Sequence, residues 1–339
     1  MTDHTAVTSD HIATLHTPVL TAQILQLLSP VLEGEQPTTV IDATLGMGGH
    51  SHAILSAFPN AQVIGIDRDP QALQLASQRL APFADRFRCV HTTYDRIDTV
   101  SDQPVDAILM DLGVSSLQLD EDERGFSYSR PAALDMRMDT TATTTAADLV
   151  NQASEDELTR ILRQWGEERF ARRIAQAIVR ERAHQPIENS QQLAELVREA
   201  IPAATRRHGG HPAKRTFQAL RIAVNEELTI LERALPAALG SLKIGGRLLV
   251  ESYHSLEDRI VKQLFVAGSQ DETPLGLPVP LEQDSPPLKL LTRKPIKADA
   301  EEIATNPRAQ SVRLRAVQLQ KTYPQPEPEN NYPVRRKKR

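Results

Sequence analysis

The chain has 339 residues, 40% hydrophobic and 24% charged, so we expect packed globular structure and not wholesale disorder. Its formal net charge of −5 excludes a uniformly basic nucleic-acid binder but leaves room for a local basic surface. A single cysteine, Cys89, cannot form an internal disulfide, as is typical of a reducing compartment. We find no signal-peptide pattern and no run of roughly 18 apolar residues, and therefore expect a cytoplasmic protein that does not engage a membrane.

The first third of the chain alternates short apolar runs with helical patterns. Residues 1–15 are polar and expected to be flexible, and a helix is predicted to open near Pro18. Strands are predicted over 40–43, 63–66, 87–91 and 105–110. Because short strands separated by helices are typical of βαβ units, the sequence predicts a mostly parallel sheet.

The pattern changes after residue 130. Residues 146–235 read almost entirely as helix, including one long helix over 167–182 and another over 214–239. A strand is predicted again over 247–252, and a final strand pair near 288–292 and 311–320. A helical run of this length cannot lie within a sheet, so it is predicted to form an inserted subdomain.

These patterns predict an α/β fold with a Rossmann-like, mostly parallel sheet and a helical insertion. The sheet domain is assigned to 16–135 and 240–320, and the inserted subdomain, expected to recognise the substrate, to 136–239. Residues 321–339 are Pro-rich, end in a basic run and are predicted to be a disordered tail.

A glycine-rich turn at 46–49 follows the first strand and precedes a helix, where glycines let the backbone approach a ligand closely. Asp67 closes the next strand, and its carboxylate can accept hydrogen bonds from both hydroxyls of a ribose. This combination favours an adenosine-containing cofactor, and both NAD and S-adenosylmethionine fit in outline. The third glycine of the dinucleotide motif is replaced by Ser51, which disfavours NAD.

Longer motifs extend these observations to 16–20 (HTPVL), 42–51 (DATLGMGGHS), 65–69 (GIDRD), 111–120 (DLGVSSLQLD), 134–139 (LDMRMD), 211–221 (HPAKRTFQALR) and 253–259 (YHSLEDR). On these motifs the chain resembles the ribosomal RNA small subunit methyltransferase H family, bacterial enzymes that methylate N4 of a cytidine in the 16S decoding region. The resemblance implies a class I methyltransferase fold, S-adenosylmethionine as cofactor, and 16S ribosomal RNA within the small ribosomal subunit as partner. By position it places the cofactor on Gly48, Gly49, His50, Asp67, Tyr94, Asp111 and Gln118.

The chemistry of this reaction points to the end of the fourth strand. Cytosine N4 is a poor nucleophile because its lone pair is delocalised into the ring, so its N–H needs an acceptor as positive charge develops. Asp111 is predicted to be that acceptor. Two roles stay open for His254, after the fifth strand: it orients the base or takes the leaving proton, or it is a structural residue that caps the next helix. No Pro-Pro-aromatic sequence follows Asp111, and three candidates for stacking the base stay open: Phe126, Tyr128 and Tyr253.

A basic stretch within the insertion is the predicted RNA-binding surface. Residues 201–225 contain no Asp or Glu but five cations, Arg206, Arg207, Lys214, Arg215 and Arg221. No metal site is predicted, because Glu251 and His254 lack a second histidine at helical spacing. Two other functions are considered: a non-enzymatic ribosome-assembly factor with a vestigial cofactor pocket, and an NAD-dependent oxidoreductase, which the missing third glycine and the basic stretch disfavour.

Overall fold

The computed structural model of the chain describes residues 18–121, 124–127, 131–203, 211–270 and 285–323. They belong to two compact units: a sheet unit within 18–67, 73–113 and 230–323, and a helical unit within 68–72 and 114–229. In the described part of the chain, no helix has the length and apolar composition needed to cross a membrane. The predicted flexible segment 1–15 and most of the predicted tail 321–339 lie outside the described residues.

The sheet unit is built on seven strands. In chain order they are β1 Thr38–Asp42, β2 Ala61–Asp67, β3 Phe87–His91, β4 Val105–Asp111, β5 Leu242–Ser252, β6 Leu288–Leu290 and β7 Arg313–Leu319. The spatial order is β3-β2-β1-β4-β5-β7-β6, with β1 to β5 parallel and β7 antiparallel to both β5 and β6. This sheet confirms the predicted α/β class and the predicted final strand pair.

The helices, numbered in chain order, are α1 Thr21–Leu32, α2 Gly49–Ala57, α3 Pro70–Arg79, α4 Ser116–Asp120, α5 Ala146–Gln152, α6 Glu155–Trp165, α7 Ala171–Arg182, α8 Ser190–Ala200, α9 Lys214–Asn225, α10 Glu227–Gly240, α11 Ser255–Gly268 and α12 Ala300–Thr305. Two separate apolar clusters cover the sheet. Leu235 and Phe265, from α10 and α11, belong to one cluster, and Leu28 of α1 belongs to the other. Because both faces are covered, the central strands are continuous apolar runs without alternation.

The order of the strands defines where this sheet can bind a ligand. From β1 the chain runs outward to β2 and β3 on one side, and then returns to place β4 on the other side of β1. Loops that leave β1 and β4 at their carboxyl ends therefore diverge, and such a switch point is where open α/β sheets bind ligands. The glycine-rich turn and Asp111 both lie there.

The helical unit has a core of its own, with Leu162 of α6, Ile174 of α7 and Leu220 of α9 fully or almost fully buried in it. The predicted long helix over 167–182 is wrong at its start, because Glu167 has a left-handed backbone (φ 48°) and α7 begins only at Ala171. The predicted helix over 214–239 is likewise divided, since Glu226 (φ 50°) separates α9 from α10.

The structure divides the chain at positions other than those predicted. The helical unit begins at 114 and ends at 229, whereas the sequence assigned 136–239 to the insertion. Phe126 and Leu134 precede the predicted boundary but pack in the helical core, while Leu231 and Leu235 follow the true boundary and pack on the sheet. Apolar periodicity detects a helix but not which of two cores its apolar face joins.

Candidate functional site

Three ionisable side chains of the sheet unit meet at the carboxyl ends of the central strands. β4 and β5 run parallel in a register that pairs Asp111 with Glu251, so the two carboxylates leave adjacent strands at the same level. His50, in the first turn of α2, lies between them, with its Nε2 3.6 Å from Asp111 Oδ2 and 3.3 Å from Glu251 Oε2. One histidine therefore contacts two carboxylates.

The pKa values of His50 and Glu251 are both raised in this cluster, so the cluster retains protons. Burial alone would lower the pKa of His50, but the carboxylates of Asp111 and Glu251 raise it to about 10. Burial, reinforced by the neighbouring Asp111 carboxylate, raises the pKa of Glu251 to about 8. His50 is thus an imidazolium at neutral pH.

Asp111 is held at both carboxylate oxygens. The hydroxyl of Tyr253 donates to its Oδ1 at 2.8 Å, and His50 faces its Oδ2. The side chain of Asp111 remains 20% exposed, whereas that of Glu251 is fully buried. Burial and the Asp111 carboxylate raise the pKa of Tyr253, which keeps its phenol protonated as a donor. Asp111 is therefore the carboxylate of the cluster that a ligand can reach.

A further carboxyl group, Asp42, lies at the end of β1 and anchors the helix that carries His50. It is almost fully buried and accepts a 2.7 Å hydrogen bond from the hydroxyl of Ser51 in the first turn of α2. Burial raises the pKa of Asp42, although the hydrogen bond from Ser51 opposes the shift. Ser51, the residue that replaces the third glycine of a dinucleotide motif, thus fastens α2 to β1.

The glycine-rich turn is fastened to the end of β2. The backbone N–H of Gly46 donates to Asp67 Oδ2 at 2.8 Å. Gly46 and Gly48 both have left-handed backbones (φ 50° and 74°), and a Cβ on Gly48 would lie 3.0 Å from a methyl group of Leu80. Asp67 is partly exposed beside this turn, and half-buried Tyr94 follows the end of β3.

Gln118 belongs to the helical unit, where both the oxygen and the nitrogen of its side-chain amide form hydrogen bonds. Its Oε1 accepts the N–H of Ser115 at 3.1 Å in a capping box at the start of α4, and its Nε2 donates to Asp69 at 3.1 Å. Asp69 also accepts a 2.7 Å hydrogen bond from the buried guanidinium of Arg124. A role of Gln118 in holding a cofactor stays a prediction.

His254 caps a helix. It is the N-cap residue of α11, where its Nδ1 accepts the N–H of Glu257 and its Nε2 lies 3.0 Å from the carboxylate of the same residue. Glu257 in turn accepts the backbone N–H groups of Tyr253 and His254 at 2.8 and 3.1 Å. This reciprocal pair favours the structural role of His254 that the sequence left as the alternative to catalysis.

The predicted base-stacking aromatics are placed differently from one another. Tyr128 lies outside the described residues. Phe126 is buried in the core of the helical unit, where its ring packs against apolar side chains. Tyr253 is half-buried, and its hydroxyl donates to Asp111. A Cβ atom placed on Gly113 would lie 3.5 Å from the Tyr253 ring. Tyr253 therefore lies beside the cluster within the sheet unit.

The predicted RNA-binding cations also differ in their surroundings. Arg206 and Arg207 lie outside the described residues. Lys214 and Arg215 are exposed in the first turn of α9. Arg221 instead donates through Nε and Nη2 to both oxygens of Glu227, each at 2.8 Å, so its charge is neutralised within the protein.

Sequence reasoning missed Glu251 and the hydroxyl of Tyr253. A partial signal was present, because Glu251 lies one residue before the end of a buried apolar strand, much as Asp111 ends its own strand. What the sequence lacks is the register that makes these two residues neighbours. The ligand atoms of His50, Asp111 and Glu251 lie within 4.8 Å of one another, a spacing that a metal ion can use, but the proton on His50 already balances one carboxylate. The absence of a metal stays a prediction.

The chain is similar in sequence to proteins of one methylase family. A model of the MraW methylase family matches residues 13–320. The ribosomal RNA small subunit methyltransferase H of Saccharopolyspora erythraea is 57% identical over 307 residues, covering 89% of this chain and 93% of that protein. The protein of the same name from Beutenbergia cavernae is 56% identical over 326 residues, covering 95% and 98%. Among solved structures, an rRNA methylase from Streptococcus thermophilus aligns with a TM-score of 0.41 and 13% identity, over 88% of this chain and 95% of that one.

The capping role of His254 can be measured directly. Replacing His254 with Ala removes the acceptor at the start of α11 and should lower the free energy of unfolding by about 1 kcal/mol. His254→Asn retains a capping acceptor and should recover most of that loss. Urea unfolding followed by circular dichroism compares the three proteins, and equal stability of the Asn and Ala variants would contradict the capping role.

Proposed function

The chain belongs to the MraW methylase family, and we propose that it methylates the N4 amine of a cytidine in the decoding region of 16S ribosomal RNA, in the cytoplasm. Family membership makes it an S-adenosylmethionine-dependent methyltransferase, which confirms the predicted enzyme class and cofactor. It also disfavours the vestigial-pocket and NAD alternatives. The observation that carries the choice of an amine is Asp111, a partly exposed carboxylate fixed at the switch point of the sheet.

The residues at the switch point suit S-adenosylmethionine. Bound there, this cofactor supplies a methyl group made electrophilic by a sulfonium. Asp67, partly exposed beside the glycine-rich turn, has the position and the acceptors to bind ribose hydroxyls. The side chain of Ser51 is engaged by Asp42, at a place where a dinucleotide site needs a glycine near a pyrophosphate. We propose that Gly48, Gly49, His50, Asp67, Tyr94 and Asp111, all in the sheet unit, form the cofactor site.

We assign Asp111 the role of acceptor for the N4–H. Tyr253 and His50 each engage one oxygen of its carboxylate, which fixes the orientation of the group. A carboxylate oxygen can accept more than one hydrogen bond, so this engagement leaves capacity for a substrate donor. The carboxylate can stabilise the positive charge that develops on N4 and can take the proton that the methylated amine releases.

The geometry gives His254 no comparable role. Both ring nitrogens contact Glu257, and the side chain is 9% exposed. We therefore propose Asp111, and not His254, as the catalytic residue. Tyr253 is the aromatic group best placed to lie near the acceptor base, because its hydroxyl reaches Asp111.

The exposed start of α9 supports an RNA contact through Lys214 and Arg215. Cations in this position can neutralise phosphates, whereas Arg221 is committed to Glu227. We propose that Lys214 and Arg215, with Arg206 and Arg207, bind the RNA backbone. Arg221, through its ion pair with Glu227, is proposed to stabilise the junction between α9 and α10.

The proposed function is tested by mapping the modification. Small ribosomal subunits that lack the methyl group are incubated with the protein and isotope-labelled S-adenosylmethionine. The 16S RNA is then digested and analysed by mass spectrometry. We expect one labelled methyl group on N4 of a cytidine in the decoding region. A label on another base, on C5, or on a ribose would contradict the proposal.

Removing the acceptor should slow the chemical step. Asp111→Ala should lower the single-turnover rate at saturating S-adenosylmethionine about a hundredfold or more, because an acceptor that engages developing charge is lost. Asp111→Asn keeps an acceptor oxygen but not the charge, so its single-turnover rate should fall between those of the native protein and Asp111→Ala. A wild-type rate for Asp111→Ala at saturation would show that another group accepts the N4–H.

The RNA contact predicts a change in salt dependence. Lys214→Ala combined with Arg215→Ala should weaken RNA binding and reduce the slope of log affinity against log salt by about 0.7–0.9 for each lost phosphate contact. Cofactor affinity should not change. The matched control is Lys262→Ala with Lys289→Ala, which removes two exposed cations of the sheet unit. An equal loss in the control would contradict a specific contact.

A further inference from the structure

Glu251 is a fully buried carboxyl group for which the proposed chemistry so far has no use. It lies on β5 beside Asp111 of β4, with no exposed surface. Within the described ranges, neither of its oxygens accepts a hydrogen bond of good geometry, and its ion pair there is with His50 at 3.3 Å. Burying an ionisable group with so few partners is costly, and such groups are often retained for function.

The partner of Glu251 is also the partner of Asp111. The Nε2 atom of His50 faces both carboxylates, at 3.3 and 3.6 Å. His50 itself is 6% exposed and is held by the first turn of α2, which Ser51 fastens to Asp42. The imidazole can therefore move little, and what it offers Asp111 depends on whether Nε2 carries a proton.

We propose that Glu251 is a positioning residue for methyl transfer: as it ionises with rising pH, it keeps the imidazole of His50 protonated against Asp111 Oδ2, and thereby holds the acceptor carboxylate in place under those conditions. The inference rests on the proposed role of Asp111. Tyr253 donates to Asp111 Oδ1, and the protonated imidazole of His50 faces Oδ2 at 3.6 Å. The two groups together form a clamp on the carboxylate, one on each oxygen. If Nε2 lost its proton, its lone pair would face Oδ2 and the clamp would open on that side.

The other groups that face His50 do not replace Glu251. Asp42 acts on the cluster from β1, but its carboxyl accepts from Ser51 and Thr44. Tyr253, on the segment after β5, is a neutral donor already used by Asp111. Asp111 alone would leave one carboxylate to oppose the burial of a charged imidazole.

The pH dependence makes this role measurable. The pKa of Glu251 is about 8 and that of His50 about 10, so between these values an ionised Glu251 faces an imidazolium. Glutamine has the shape of the protonated acid but cannot ionise. Glu251→Gln should therefore resemble the native protein below pH 7 and differ from it increasingly as the pH rises, because His50 then loses its proton at a lower pH.

The test compares native protein, Glu251→Gln and Asp106→Asn. Asp106 lies on β4, the strand next to that of Glu251, where its carboxylate accepts from Lys243 and from the Thr39 N–H. Its substitution therefore controls for the loss of a carboxylate from the sheet at a place away from the cluster. We expect the single-turnover rate of Glu251→Gln at saturating cofactor to be within about threefold of native at pH 6.5 and at least about tenfold lower at pH 9. Asp106→Asn should follow the native profile, and the cofactor affinity of Glu251→Gln should stay within about twofold.

The charge of His50 is read without any reaction, by the imidazole nitrogen chemical shifts of labelled native protein. We expect a protonated Nε2 up to at least pH 9, and a titration at lower pH in Glu251→Gln. An unprotonated Nε2 at neutral pH in the native protein, whether neutral imidazole or metal-bound, would overturn the proposal even if the variant failed to fold. A native-like rate of Glu251→Gln at pH 9 would also overturn it.

This experiment separates two failures. If Asp111→Ala is impaired while Glu251→Gln follows the native profile, the proposed acceptor stands and only the role of Glu251 is lost. If Asp111→Ala transfers methyl at the native rate, the acceptor assignment fails, and with it the purpose assigned to Glu251, whatever the charge of His50.

Discussion

The parallel pairing of β4 with β5 is the constraint on which the site depends. Both strands carry a carboxylate at or next to their last residue, and their register brings Asp111 and Glu251 to the same level of the sheet. Two adjacent carboxylates in a buried place repel each other unless a cation or a proton intervenes. His50 fills that place from the first turn of α2, so the glycine turn that starts this helix serves the cluster as well as the proposed cofactor site.

Much of the sheet could be predicted from sequence because each strand is a short apolar run closed by a polar residue. The glycine turn, Asp67 and Asp111 follow the same logic, since strand ends on one side of a parallel sheet form one edge. The pairing of Glu251 with Asp111 could not be found this way, because the register between strands 140 residues apart in sequence leaves no local trace. For His254 the sequence left a catalytic role and a helix-capping role open, and its contacts with Glu257 favour the capping role.

The helical unit shows a related limit. Its helices carry clear apolar periodicity, but the left-handed residues Glu167 and Glu226 interrupt that pattern without a glycine to announce them. Cations could be counted from sequence, but not their partners. Arg221 is partly buried and donates to the carboxylate of Glu227, six residues further along the chain, whereas Lys214 and Arg215 are exposed.

The buried cluster also couples folding to proton uptake. In the unfolded chain a histidine and a glutamate titrate near 6.5 and 4.5, but in the folded protein these values rise to about 10 for His50 and about 8 for Glu251. The folded state therefore binds more protons than the unfolded state across this range, and its stability must fall as the pH rises. By this linkage, the arrangement that orients a carboxylate for chemistry also makes alkaline conditions unfavourable for the folded chain.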